Sequence, residues 1–313
     1  MIRVALAWTM ALAQPAGAFE LALPVACDLG TDCYIQQYMD HDPSPAATDF
    51  TCGPLVYDGH SGTDFALENR AQMQAGFAVL AASPGKVKAR RDGVADFAPY
   101  ADGQECGNGV VVDHGGGWET QYCHLRMGSV LVQVGQAVDT GTALGLVGQS
   151  GQAEFPHLHL SLRRNGVDVD PFAPDATNDC AKPDDPGLWQ TPIAYTPGGI
   201  IGIGISPAVP EYAMIKIGLG SPNLPKTVPA LVVWAYVFGG RAGDALLLDI
   251  TGPQGVVITE RVVLEKTQAQ LFRAVGKKRK AAGWPPGTYS GTAKLLRAGT
   301  EISDETVEID IKQ

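Results

Sequence analysis

No later stretch of this chain approaches the ~20 consecutive apolar residues that a membrane-spanning helix needs, and the short N-terminal run Val4–Ala13 falls well below it. Stable membrane insertion is therefore not expected. Positive charge is scarce: 23 Lys and Arg stand against 33 Asp and Glu, a net charge of −10. That balance excludes the electrostatic footprint of a nucleic-acid partner. Cysteine is absent beyond Cys180, so the C-terminal part must hold together through its apolar core. Residues 54–170 lack any long amphipathic helical pattern. The chain contains no H-E-x-x-H, which excludes the helical metalloprotease motif, and no convincing Ser-His-Asp set. Histidine is rare, 6 in 313 residues, so each one carries weight.

What is present is a globular composition, 45% hydrophobic and 18% charged, with 38 Gly and 22 Pro. Such turn-rich content suits an all-β protein of about two domains. Charge divides unevenly: residues 1–189 hold 10 basic against 23 acidic side chains, and residues 190–313 hold 13 against 10. Arg3, the apolar run and the small residues Ala16-Gly17-Ala18 read as an export signal over residues 1–18. Export to the periplasm or the extracellular space favours disulfides among the six cysteines. Cys106 and Cys123 flank an expected hairpin and are paired on that ground. Cys27 with Cys33 would close a small loop, leaving Cys52 with Cys180. Residues 19–53, polar and rich in acids, read as an irregular lead-in pinned by these bridges.

The most informative stretch is Phe155-Pro156-His157-Leu158-His159-Leu160. On a strand, residues two apart share a face, so His157 and His159 point one way and the leucines the other. Paired imidazoles are a natural start for a metal site, though two polar residues on a wet face would look the same. Upstream, Tyr57-Asp58-Gly59-His60-Ser61-Gly62-Thr63-Asp64 places His60 four residues before Asp64. Its glycines indicate a turn entering a strand, and such a turn brings the two side chains together. Ala78–Ala89 reads as strand, Pro-Gly turn, strand. Residues 92–107 read as a looped insertion. Asn108–Gly115 and Trp118–Leu125 read as a hairpin turned at Gly115-Gly116-Gly117. Alternation on its second strand puts Tyr122 and His124 on one face and Cys123 on the other, which makes Cys123 a structural sulfur. His114 is expected to be a structural histidine and His41 a surface one. From Val130 to Val147, short β segments alternate with glycine turns.

Taken in this order, His60-x-x-x-Asp64, Tyr122-Cys123-His124-Leu125 and His157-Leu158-His159 resemble the lysostaphin-type (LytM-like) zinc endopeptidases of bacterial cell walls. The segments Ala78–Gly85, Gly107–Val110 and 134–148 match as well, so the resemblance covers about residues 54–172. It implies an antiparallel β peptidase domain over 54–183. By position it assigns His60, Asp64 and His159 to Zn2+, with a water in the fourth place. It makes His124 and His157 the non-ligand histidines that handle protons in amide hydrolysis. The implied substrate is the peptide stems and cross-links of peptidoglycan. Relatives that serve as wall-binding or amidase-activating regulators supply the alternative reading, and secretion of a protease for ordinary proteins a third.

Asp184-Asp185-Pro186-Gly187 opens a linker, 184–190. Beyond it, Ala213–Leu219, Ala230–Phe238, Ala245–Ile250, Val256–Val263, Tyr289–Leu296 and Thr306–Ile311 read as strands of an immunoglobulin- or fibronectin-like β-sandwich of about seven strands over 191–313. Tyr289, after Pro285-Pro286-Gly287-Thr288, is placed to form a tyrosine corner. Trp234, Tyr236 and Phe238 alternate along one strand and are expected in the core. Lys277-Lys278-Arg279-Lys280 reads as a solvated loop, with contact to an anionic wall polymer as the alternative. A protein partner through this C-terminal part is a further expectation.

Overall fold

The computed structural model describes residues 18–175, 180–183, 185–220, 222–281 and 283–312. All but the last residue of the expected export signal lies outside the described residues. Strands dominate, because short β-branched and aromatic runs are cut at close intervals by glycine and proline. The first half contains β1 (Cys33–Gln37), β2 (Thr63–Leu67), the one-turn helix α1 (Arg70–Ala75), β3 (Ala78–Leu80), β4 (Gly85–Arg91), β5 (Asn108–Gly115), β6 (Trp118–Leu125), β7 (Ala137–Val138), β8 (Ala143–Leu146), β9 (His157–Arg164) and β10 (Val167–Val169). The second contains β11 (Gly199–Ser206), helix α2 (Tyr212–Ile217), β12 (Leu224–Pro225), β13 (Ala230–Gly240), β14 (Ala245–Gly252), β15 (Gly255–Val263), β16 (Gln268–Lys278), β17 (Gly287–Arg297) and β18 (Thr300–Lys312). Among the described residues no helix is long and apolar enough to cross a membrane.

The first half is built on an eight-stranded sheet in the order β1-β2-β9-β6-β5-β4-β7, with β10 on β9, while β3 and β8 form a separate pair. The expected strand–turn–strand at 78–89 exists, but its two strands join different sheets. The β5–β6 hairpin forms as expected, and Gly115, Gly116 and Gly117 all take positive φ, the conformation glycine reaches without a Cβ clash. Residues 92–107 lack regular strands, as expected of an insertion. One core face carries Phe65, Tyr122, Leu158, Leu160 and Leu162, all essentially inaccessible.

The lead-in is less irregular than its composition suggests. It supplies β1, the sheet's edge strand next to β2, and buries Leu21, Val25, Tyr38 and Phe50 in the main core. These scattered apolar residues have no local period, so only tertiary contact reveals them. The three expected disulfides, Cys27–Cys33, Cys52–Cys180 and Cys106–Cys123, are all present. Cys52–Cys180 spans 128 residues. In the chain-entropy account a loop of that size stabilises by roughly 5 kcal/mol. His41 is not a free surface residue: its Nε2 lies 2.7 Å from the buried Asp170 carboxylate. His114 is structural, its Nδ1 donating to Pro84 O at 2.7 Å and its Nε2 meeting Thr120 Oγ1 at 2.8 Å.

The second half is a β-sandwich of a three-stranded sheet, β11-β13-β16, and a five-stranded sheet, β12-β18-β17-β14-β15. Ile205, Val233, Leu246, Leu248, Leu271 and Leu295 fill the space between them. Five of the six expected strands are found. Ala213–Leu219 is not a strand but coincides with α2. Its apolar run is too short for period to decide, and Gly218 ends the turn in the left-handed conformation, a helix-stop signal. β11, β12 and β16 were not expected. Tyr289 Oη donates to Pro285 O at 2.9 Å, which is the expected corner. Lys277 and Lys278 belong to the end of β16.

β13 is buried on both faces. Val233, Ala235 and Val237 face the sandwich interior, whereas Trp234, Tyr236 and Phe238 join the core cluster of the first half. The expectation of buried aromatics holds, with the refinement that they seal the two halves together. Phe238 stacks obliquely on Tyr34 at 4.6 Å. Gln270 Nε2 donates to Gln36 Oε1 at 2.9 Å, and Gln36 Nε2 donates to Ala269 O at 3.0 Å. A cavity of about 620 Å³ remains where the halves part, lined by Leu29, Tyr34, Glu68, Ile200, Phe238 and Glu305, among others.

Candidate functional site

Three adjacent strands and one turn bring five sequence-predicted residues together. Asp64 on β2 lies directly across from His159 on β9, and opposite residues of an antiparallel pair share a face. His157, two residues before His159, shares that face. His60 enters from the turn before β2, where Gly59 takes φ +76° and His60 N–H donates to Tyr57 O. Gly62 is required by the site. A Cβ there would sit 2.7 Å from His159 Nε2 and 2.5 Å from Leu160 O.

His124 reaches the same face by a different route, and here the sequence expectation fails. Tyr122 lies across from Leu160 on the core face, and Cys123 lies across from His159 on the open face. Strict alternation would therefore send His124 inward with Tyr122. Instead the ladder slips between the Asn108–Leu125 and Val110–Tyr122 pairs, and His124 adopts φ +64°. Such a bulge re-aims a side chain. The His124 ring ends 4.6 Å from that of His157 and 6.0 Å from that of His159. Cys123 is still a structural sulfur, but it sits on the open face.

Each histidine is anchored through one ring nitrogen. Nδ1 of His60 donates to Tyr38 O at 2.6 Å, Nδ1 of His124 to Ser150 O at 2.8 Å, and Nδ1 of His157 to Phe155 O at 2.8 Å. His159 instead uses Nε2, 2.9 Å from Ser161 Oγ. A carbonyl can only accept, so the first three rings carry a proton on Nδ1, and when neutral each has a lone pair on Nε2. Of these partners only Ser161, two residues after His159 on the same strand, was open to inference from the sequence. Tyr38, Ser150 and Phe155 act through backbone carbonyls, for which side-chain identity is no signal.

The free atoms converge. His60 Nε2 lies 3.1 Å from Asp64 Oδ1 and 3.1 Å from His159 Nδ1, and His159 Nδ1 lies 2.9 Å from the same oxygen. His157 Nε2 stands slightly back, 3.6 Å from Asp64 Oδ1. One ligand atom from each of His60, Asp64 and His159 lies within 4.8 Å of the others. Neutral imidazoles and a carboxylate so arranged present lone pairs to one another, which a buried site tolerates only around a cation or a shared proton. The donor set fits a divalent metal. Burial opposes charge on Asp64, but His60 and His157 when they carry a second proton, with hydrogen bonds from His159 and the protonated His60, outweigh it and hold the carboxyl well below its ordinary value. Burial, with His157 and His159 close by, pushes His124 well below the usual imidazole range. Burial likewise lowers His157, against the opposing pull of Asp64.

An all-β scaffold thus carries a buried His-Asp-His cluster flanked by two further histidines. Comparison with known proteins narrows this class: residues 58–171 match the model of peptidase family M23. The chain is 38% identical over 110 residues to the peptidoglycan DD-endopeptidase ShyA of Vibrio cholerae, covering 35% of this chain and 21% of that protein. It is 39% identical over 87 residues to the DD-carboxypeptidase/endopeptidase Mpg of Neisseria meningitidis, covering 28% and 19%. The murein hydrolase activator EnvC of Escherichia coli is 40% identical over 94 residues, covering 30% and 22%. The matched region therefore spans only about a fifth of these relatives' length. Among solved structures, the catalytic domain of lysostaphin from Staphylococcus simulans aligns at 27% identity with a TM-score of 0.27, over 36% of this chain and 76% of that one.

Proposed function

We propose that this chain is an exported, zinc-dependent endopeptidase that cleaves peptide cross-links of peptidoglycan. The observation that carries the reading is the convergence of His60 Nε2, His159 Nδ1 and Asp64 Oδ1 on one point, beside two anchored histidines. His60, Asp64 and His159 would hold the zinc. When bound, the metal would supply a nucleophile at neutral pH and polarise the scissile carbonyl.

The chain's own residues then have separable tasks. Tyr38 O and Ser161 Oγ fix the rotation of His60 and His159, the outer support that metal-binding imidazoles require. Asp64 brings the negative charge that makes the cluster attractive to a cation. His124 and His157, held by the carbonyls of Ser150 and Phe155, keep their Nε2 atoms available. Each is suited to accept the proton of an attacking water and return it to the leaving amine, or to donate to the developing oxyanion. Relatives named as DD-endopeptidases support peptidoglycan as substrate. The likeness to a murein hydrolase activator supports the alternative of a non-catalytic regulator. Against it stands the complete set of five residues.

The test is metal content per chain, with release of peptides from purified sacculi and from cross-linked muropeptides, each with and without a chelator. The proposal expects about one zinc per chain and cleavage that the chelator abolishes and zinc restores. One zinc without cleavage, together with stimulation of an added amidase, would establish the regulator instead.

A further inference from the structure

The two halves of the Cys106–Cys123 bridge sit at opposite sides of the His124 bulge. Cys123 immediately precedes His124, on the open face across from His159. Cys106 is the last residue but one of the insertion 92–107, and its carbonyl accepts the His124 backbone N–H at 2.8 Å. The bridge therefore closes a short ring: sulfur to sulfur on one side, His124 N–H to Cys106 O on the other. That ring closes on the amide of the one residue of β6 held at positive φ, a conformation costly for any residue other than glycine and retained only where surroundings over-determine it.

The surroundings are tied to the same ring. Ser150, whose carbonyl holds His124 Nδ1, accepts Asn108 N–H through its Oγ at 2.9 Å and donates to Leu125 O at 2.7 Å. Asn108 Nδ2 donates to Leu125 O at 2.9 Å and to Val94 O at 2.8 Å. Gln152 N–H donates to Glu105 O at 2.8 Å. Gly107 takes φ +61° and lies so close to Ser150 that a Cβ would collide with its backbone. Gln121 Nε2 touches both sulfurs at 3.3 Å. The end of the insertion thus forms the seat on which both the backbone and the ring of His124 rest. By contrast, His60, Asp64 and His159 come from β2, its preceding turn and β9, with anchors at Tyr38 and Ser161 that do not pass through this ring.

We infer that the Cys106–Cys123 disulfide is a positioning element for His124, so that hydrolysis, but not metal binding, depends on this bond. The inference rests on the proposed peptidase reading for its catalytic consequence, though not for its structural one. Without the bridge, β6 is free to relax to regular alternation, which turns His124 toward the core face and removes it from His157.

The experiment compares the native protein with the double variant C106A/C123A, which leaves no free thiol, and with C27A/C33A as a control bridge remote from His124. Each is first shown folded by its thermal transition. Metal affinity, kcat and KM on a cross-linked muropeptide, and, in metal-free protein, the His124 amide exchange rate and ring tautomer by ¹⁵N NMR are then measured. Expected for C106A/C123A are zinc affinity within about twofold of native, and kcat lower by about 100-fold or more, the usual range for losing a positioned acid-base group. Faster exchange at the His124 amide and loss of its single Nδ1–H tautomer should accompany this. C27A/C33A should match native in all readouts. A C106A/C123A protein with native kcat, or with unchanged His124 exchange and tautomer, overturns the inference. If native protein cleaves nothing but the NMR changes appear as expected, the peptidase reading fails and the positioning role stands. Should C106A/C123A not fold, H-bond-preserving C106S/C123S gives the same comparison.

Discussion

Replacing Gly62 by alanine tests the site without removing any candidate ligand. Gly62 does not occupy the left-handed region, so alanine adds no backbone strain there. The added methyl would lie 2.5 Å from Leu160 O, 2.7 Å from His159 Nε2 and 2.8 Å from its Cε1, all below the separation that real Cβ atoms tolerate. Leu160 O belongs to the β2–β9 ladder, where Thr63 faces Leu160, so it cannot retreat without parting the strands. The imidazole must move instead. That motion breaks its contact with Ser161 Oγ and carries Nδ1 away from Asp64 and His60. Overpacking of this kind costs about 1–3 kcal/mol. If that cost falls on the metal-competent geometry, zinc affinity drops by roughly 5- to 150-fold, at 1.4 kcal/mol per decade. Competition with a fluorescent chelator measures this, with thermal unfolding of metal-free protein alongside. Gly202→Ala on β11, where a Cβ meets nothing within 4 Å, is the matched control and should be neutral. A Gly62→Ala protein with native zinc affinity would show that His159 is not held where the structure puts it.

Other outcomes follow from the same geometry. Asp64→Ala and His159→Ala should each abolish zinc retention and hydrolysis, whereas His124→Ala should keep zinc and lose rate; full hydrolysis by His159→Ala would reject the site assignment. Burial, with Glu305 and Asp32 nearby, raises the Glu68 carboxyl to about 7. Its folded pKa exceeds the unfolded value, so the unfolded chain releases this proton first. Stability therefore falls as pH rises from about 4.5 to about 7 and stays reduced above. Glu68→Gln should raise the thermal midpoint at pH 8 relative to native while leaving pH 4 little changed, and equal shifts at both pH values would contradict the assignment. Tyr289→Phe removes the donor to Pro285 O and should cost about 1 kcal/mol in denaturant unfolding; an unchanged midpoint would mean the corner hydrogen bond adds nothing.

Much of the site was legible because strand period and turn chemistry are local. The two-residue period alone places His157 and His159 together and Leu158 and Leu160 in the core. Glycines around His60 signal the turn that folds it onto Asp64. Hairpin geometry pairs Cys106 with Cys123, and the remaining short loop leaves Cys52 for Cys180. The sandwich strands with clear alternation, such as Ala245–Gly252 and Gly287–Arg297, were equally readable.

Other features required the folded chain. Residues 213–219 are apolar over too short a span for their period to separate helix from strand, and the left-handed Gly218 settles it as α2. β16 mixes polar and apolar residues because one of its faces meets the first half and not the sandwich core. The aromatic face of β13 could be recognised as buried, but not what buries it. The orientation of His124 is the sharpest case. Local alternation predicts the wrong neighbours for it, since a bulge inverts the face of every residue beyond it. That bulge is held by a carbonyl at Cys106 and another at Ser150, both distant in sequence. Sequence by itself thus determined the chemistry available and the strands that carry most of it, because those depend on side-chain identity and short-range period. Only tertiary structure decided which backbone groups hold the rings, because every carbonyl is alike until the fold selects one.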